Sequence, residues 1–303
     1  MIHPRIASAV FNTPLMIHPG KAAAILMGIG ARITGGAVEI EGATPIRHIA
    51  FEGGRPSMGT IGDRIGRTIA AKGGKPYDMV GSVAVIPIEG SLVHKGAWLE
   101  SDSGETSYQG IQTQVAAASR DSAVKGVVFE VDSHGGTVSG AFETADMIAG
   151  LSRVKPTLAV LTDAALSAGY LLASAARSII VPEQGAVGSI GVVTLHTDAS
   201  GKLASEGLKV TILTAGAHKA DGNPTEPLSA DIAAEWQAEL ESVRQTFAAR
   251  VASYRGKRLS FDNAMATEAR VYRGASAVQA GLADATGHAS EAFQAFISII
   301  NRA

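Results

Sequence analysis

Ser167 stands in "AALSAGYLLASAA" (164–176), at the opening of a small-residue stretch with the apolar pattern of a buried helix. A serine there has two roles open to it. It can cap the helix by accepting backbone N–H bonds, or it can attack a carbonyl carbon once a base removes its proton. The stretch "DSHGGTV" (132–138) offers a complement to the second role. Gly135-Gly136 follows a strand-like run and precedes a helical pattern. It can therefore expose backbone N–H groups where negative charge develops, and the N–H of Ala168 is placed to join them. Taken alone, the same glycines also read as a plain strand-to-helix turn. The chain has no cysteine, so a thiol nucleophile, a disulfide framework and cysteine-ligated zinc are excluded.

A nucleophilic serine needs a base. His196 follows Ser167 within a strand-like run, where a histidine with a structural partner is the plainer reading. His134 lies inside the glycine turn, crowded against the N–H donors. Lys219, in "TAGAHKADGNP", belongs to a Gly/Asn/Pro-rich loop where a lysine is ordinarily a solvated cation. Folded into a dry site, its pKa would fall until the neutral amine could accept a proton. The residues alone leave these three open.

The elements that must position these groups are β and α stretches in alternation from Ser82 onward. Val/Ile-rich runs at 82–92, 125–133, 157–163, 178–183, 191–197 and 209–216 have strand length and composition. Between them, 137–154 carries an apolar helical face and "SAGYLLASAAR" is apolar on most sides. Continuous apolar strands separated by helices predict an α/β fold, a mostly parallel sheet with helices on both faces. After a polar loop, Ile232, Trp236, Leu240, Val243, Phe247, Val251 and Tyr254 step along one long helix, begun by Ser229 or Asp231 and ended by Gly256. The tail "EAFQAFISIINRA" reads as a short amphipathic helix. The chain divides into an amino-terminal arm (1–75), a catalytic domain (76–288) and a helical tail (289–303).

Bulk properties exclude several function classes. The 303 residues are 46% hydrophobic and 18% charged, the balance of a globular chain with a substantial core. A net charge of -2 without a basic run offers nothing to nucleic acid or an anionic membrane, so neither is expected as a partner. The longest apolar run near the start, Ala22 to Ile29, is far short of the roughly 20 residues of a membrane span and lacks a signal-peptide layout. A cytoplasmic chain, or one confined to a compartment assembled there, is the expectation. No cofactor and no metal are implied.

The ordered set "DSHGG", "SAGYLLASAA", "GAVGSIGVV", "AGAHKADGNP" and "ARVYRGASAVQAGLADATG" resembles the signal peptide peptidase A family of serine peptidases, over about Ser82 to His288. The resemblance implies the Clp protease/crotonase fold and a Ser-Lys dyad. Ser167 then matches the nucleophile, Lys219 the general base and Ser189 the serine that orients the lysine amine. The Gly pair matches the oxyanion turn, with Gly136 the first choice, Gly135 the second and Ala168 completing the hole. In related Clp proteases the base is a histidine whose slot falls near Val192 here, not at His196, which favours lysine. His134 departs from the pattern, because the family usually carries proline before the glycines.

The opening "FNTPLMIHPGKAAAIL" is similar to phage head-maturation proteases of the minor capsid protein C group. That likeness implies a homo-oligomeric endopeptidase acting on scaffold or capsid proteins inside a procapsid, with small residues expected beside the cut. Either "GSIGVV" or the stretch after the Gly pair could pair with an extended substrate backbone. The alternatives are a bacterial signal-peptide-peptidase-like protease, a Clp-like Ser-His protease, a crotonase-type acyl-CoA enzyme and a catalytically silent capsid-assembly protein.

Overall fold

The computed structural model describes residues 14–18, 74–95 and 104–302. The rest of the amino-terminal arm, with the apolar run Ala22 to Ile29, lies outside the described residues. In chain order the strands and helices are β1 (Leu15–Ile17), β2 (Asp78–Val80), β3 (Val83–Val93), β4 (Glu105–Ser107), α1 (Tyr108–Arg120), β5 (Gly126–Thr137), α2 (Ala141–Val154), β6 (Thr157–Leu166) and α3 (Ala168–Ser174). They continue with β7 (Ser178–Val181), β8 (Ala186–Gly188), α4 (Ser200–Ser205), α5 (Ala230–Arg255), α6 (Phe261–Ala266), β9 (Val271–Arg273), α7 (Gly274–Gln279), β10 (Ala285–Thr286) and α8 (Ala289–Arg302).

The strands form one sheet with a central order β10-β7-β6-β5-β3-β2. β3, β5, β6, β7 and β10 run parallel, and only β2 at the edge, β1 against β5 and β8 against β9 are antiparallel. This is the α/β architecture that continuous Val/Ile runs demand, since a strand apolar on both faces must be covered on both. On one face, Ile86, Ile88, Phe129, Val131 and Leu161 pack with Ile111, Ile148, Tyr170 and Leu171 from the helices in the main core. On the other, Ile297 and Ile300 of α8 cover Val83, Val128, Leu158 and Val160. Each such side chain, fully buried, stabilises by about 1.5–3 kcal/mol.

Local chemistry sets the helix ends. The Ser229 hydroxyl accepts the Ile232 N–H at 3.3 Å and Gly256 closes α5 at φ 59°, as the capping residues predict. Only the second half of α5 is buried, through Phe247, Ala248, Val251 and Arg255. Arg255 is 1% exposed and grips Asp284 through its two terminal guanidinium nitrogens, at 2.9 and 3.1 Å. Among the described residues, no helix is long and apolar enough to cross a membrane.

Two expected strands are absent. Among the described residues, the run 191–197 contributes one isolated bridge, Val193 to Leu15, and 209–216 lies exposed with no strand partner. Both have strand composition, but a strand is stabilised by cross-strand pairing and burial, which composition alone does not supply. β5 and β6 run further than expected, to Thr137 and Leu166, so the Gly pair lies within a strand and not in a turn.

Candidate active site

The carboxyl ends of β5, β6 and β8 meet where α3 begins. Ser133 pairs with Ala165, and Leu166 pairs with Gly188, so the "DSHGG", "LSAG" and "GSIG" stretches converge through the sheet register itself. Ser167 follows directly, its N–H donating to the Gly188 carbonyl at 2.9 Å. It sits at the cap position of α3, yet its side chain makes no capping bond; its hydroxyl instead donates to the Gly191 carbonyl at a long 3.4 Å. Its backbone has φ 52° and ψ -120°, a conformation L-residues rarely adopt. The capping role therefore does not account for this serine. The strained backbone turns the hydroxyl out of the helix cap, and such strain persists only where the surrounding structure over-determines it.

The Gly pair abuts it. Gly135 has φ 98°, and a Cβ there would lie 3.0 Å from Ser167 Cβ and 3.1 Å from the Ala168 nitrogen. A Cβ on Gly136 would collide with the Leu92 carbonyl at 1.8 Å. The Gly135 N–H is already engaged, donating to Ser133 Oγ at 3.1 Å, while Ser133 Oγ donates to the Gly90 carbonyl at 2.7 Å. Gly136 is paired with Met16 of β1 and Leu92 of β3. Ser133, fully buried, is the positioning residue that sequence reasoning missed. Its place in "DSHGG" was visible, but only the fold shows that its hydroxyl links the Gly135 N–H to the Gly90 carbonyl.

Ser189, also buried, has φ 56° and is held by its N–H donating to the Arg270 carbonyl at 3.0 Å. It neighbours Ser167 through Gly188. Lys219 is in a different place. It sits in an exposed turn, 217–220, and among the described residues nothing joins its ammonium to Ser167. Exposure extends back along the chain through Leu208, Val210, Ile212 and Leu213, the last 92% exposed. His196 is also away from the site, its Nε2 at 3.3 Å from the Asn223 carbonyl and its ring edge-on to Trp236. His134 lies across from His18 with ring centroids 6.4 Å apart. Both histidines line a cavity of about 440 Å³ with Asp163, Leu166, Ala186 and Arg273. Burial, then His134 and Arg273, lower the His18 pKa.

Comparison with known proteins places the chain among the following relatives. The chain is 37% identical over 98% of its length to the head-tail preconnector protein GP5 of Enterobacteria phage P21, and covers 57% of that protein. It is 35% identical over 95% of its length to the capsid assembly protease C of Escherichia phage lambda, covering 64% of it. Protease 4 of Haemophilus influenzae is 25% identical over 75% of the chain, which covers 36% of that protein. An enoyl-CoA hydratase/isomerase family member of solved structure superposes over 74% of both chains with a TM-score of 0.43 at 16% identity, too loose a likeness to carry a functional conclusion. The model of peptidase family S49 matches residues 149–297, a span that includes Ser167, Ser189 and Lys219. Over these residues the chain carries a peptidase family S49 domain.

Proposed function

We propose that this chain is a serine endopeptidase with a Ser167-Lys219 dyad, acting on scaffold or capsid proteins during phage procapsid maturation. The observation that carries the reading is Ser167 itself: a non-capping hydroxyl on a strained positive-φ backbone, beside a Gly pair and a helix-first N–H. In the proposed reaction, neutral Lys219, oriented by Ser189, takes the Ser167 proton as Oγ attacks the peptide carbonyl carbon. The N–H groups of Gly136 and Ala168 hold the oxyanion. The C–N bond breaks, the lysine proton leaves on the new amine, and water releases the acyl group from the serine.

A solvated lysine is a poor base near pH 7, so catalysis on these lines requires Lys219 to be desolvated. The apolar residues exposed ahead of it, Leu208, Val210, Ile212 and Leu213, are a reason for the chain to bury this segment against a further copy. Homo-oligomerisation is therefore part of the proposal, and the strand-like run 209–216 is the segment expected to order on assembly. Val210→Asp with Ile212→Asp should lower the oligomer mass in sedimentation and lose peptidase activity together. An oligomer of unchanged mass would remove this segment from the interface.

The deciding experiment follows intact mass over time for wild type, Ser167→Ala and Lys219→Ala, alone and with candidate scaffold and capsid proteins. Cleavage by wild type and by neither variant is the expected result, with losses on the order of 10⁴-fold or more for the serine variant. His196→Ala should retain activity. The exposure of Lys219 and the full burial of Ser167 are what a catalytically silent assembly protein would also display. Unchanged procapsid maturation by Ser167→Ala would establish that second reading.

A further inference from the structure

β1 is the one described piece of the amino-terminal arm ahead of Gly74, and it lies over the candidate nucleophile. It pairs antiparallel with the last residues of β5, Leu15 opposite Thr137, Met16 opposite Gly136 and Ile17 opposite Gly135. On its other edge, the Leu15 N–H donates to the Val193 carbonyl at 2.7 Å and the Val193 N–H to the Leu15 carbonyl at 2.9 Å. The stretches flanking β1 are the Gly pair with Thr137 on one side and Val193, at the end of "GSIGVV" as it leaves the sheet, on the other. The groove between them is filled by the chain itself.

The alternation of a strand fixes what faces what. Because both polar groups of Leu15 point to Val193, those of Met16 point the opposite way, toward Gly136. The bond from the His18 N–H to the His134 carbonyl, at 2.9 Å, confirms the same phase two residues on. The position of the Met16 carbonyl agrees. A Cβ on Gly135 would lie 2.1 Å from the Met16 oxygen, and the same point is 3.0 Å from Ser167 Cβ and 3.1 Å from the Ala168 nitrogen. The carbonyl thus lies among the groups expected to hold an oxyanion. The three side chains are 5%, 0% and 6% exposed, with Met16 set into the main core and Leu15 and Ile17 against Val193 and Leu195.

We infer that Leu15–Ile17 is bound as a substrate strand, with Met16 supplying the acyl residue, and that it is an internal competitor that closes the active site. This inference rests on the peptidase reading of Ser167. It explains why the nucleophile of a peptidase is fully buried in its own chain, and it assigns the substrate class: an extended peptide with an unbranched apolar side chain of methionine size before the cut. That differs from the small residue expected from sequence. The cavity lined by His18, His134 and Arg273 receives the substrate two residues beyond it.

The test compares full-length wild type with Met16→Asp, which places a charge in the apolar pocket, and Leu15→Pro, which deletes the N–H bonded to Val193. Circular dichroism melting checks that each folds. Read-outs are labelling of Ser167 by an alkyl fluorophosphonate and hydrolysis of a methionine-containing reporter peptide, with Ser167→Ala as the blank. A tethered strand acts at an effective concentration of ~1 mM, so against a groove of ~0.1 mM affinity both rates should rise about tenfold when it is displaced. A synthetic peptide of residues 12–20 at about the same ~1 mM should slow Met16→Asp back toward wild type. Ser167-dependent rates that are equal in wild type and both variants, or a peptide without effect, overturn the inference while leaving the peptidase standing. Absence of Ser167-dependent labelling and hydrolysis in every variant removes the peptidase reading, and this inference with it.

Discussion

Ser167 is a residue whose backbone contradicts its side chain. A φ of 52° with ψ -120° costs a non-glycine residue on the order of 1–3 kcal/mol, and the surrounding sheet and helix hold it there. Ser167→Gly should therefore melt at a higher temperature than Ser167→Ala while being equally inactive, a comparison that separates backbone strain from loss of the hydroxyl. At Gly136 the constraint is spatial. A methyl group would meet the Leu92 carbonyl, so Gly136→Ala must shift the strand and should lower kcat by about 10²–10³-fold, the range seen when an oxyanion donor is lost. The motifs holding Ser167, the glycine pair and Lys219 could be picked out in the sequence, although each residue alone also had a plain structural reading. Ser133 could not, since a serine whose hydroxyl braces neighbouring strand backbone looks like any other serine until its partners are known.

At the scale of elements, legibility followed locality. The long helix α5 was readable to its ends because its caps, Ser229 and Gly256, act on neighbouring backbone groups. Ser229→Ala should cost about 1 kcal/mol of stability, measurable as a shift in the urea midpoint. The central strands were readable because burial on both faces leaves a continuous apolar run. The runs 191–197 and 209–216 have the same composition and yet form no extended strand, because strand formation depends on what lies alongside, and composition does not encode that. β1 is the reverse case. Three residues in an arm with no readable periodicity became a strand because two backbones in the fold stood ready to pair with them.

Across the whole molecule, distant parts of the chain are fastened by a few charged groups. Asp284 takes the Arg255 guanidinium, an Arg258 N–H at 2.8 Å and the Ile179 N–H at 2.7 Å, tying the end of α5 to the sheet. Burial acts to raise the Asp284 pKa, but the two arginines and the Ile179 N–H outweigh it and hold the carboxyl below its usual value. Asp121, bonded to Lys75, the Ala123 N–H and the Tyr77 hydroxyl, is likewise lowered to about 2. Carboxyls depressed in the folded state stabilise it fully above their unfolded value near 3.8, and that contribution fades as pH falls through the folded values. Urea midpoints should thus stay level for these groups down to about pH 4 and drop below it. Asp284→Asn should flatten the drop and, by leaving Arg255 buried without its counter-charge, cost about 3–5 kcal/mol at pH 7.

A groove filled by the chain's own strand has a further consequence, in concentration. An open active site responds to dilute substrate in proportion to affinity, whereas this one must be won from a tethered rival whose local concentration never falls. Dilute peptides lose that contest. Substrate strands packed as densely as the tether itself win it, so such an enzyme would stay quiet in an open solution and start work where its targets are crowded together. β1 sets that threshold through three residues, and changing their fit to the groove would move it up or down without altering the chemistry of Ser167.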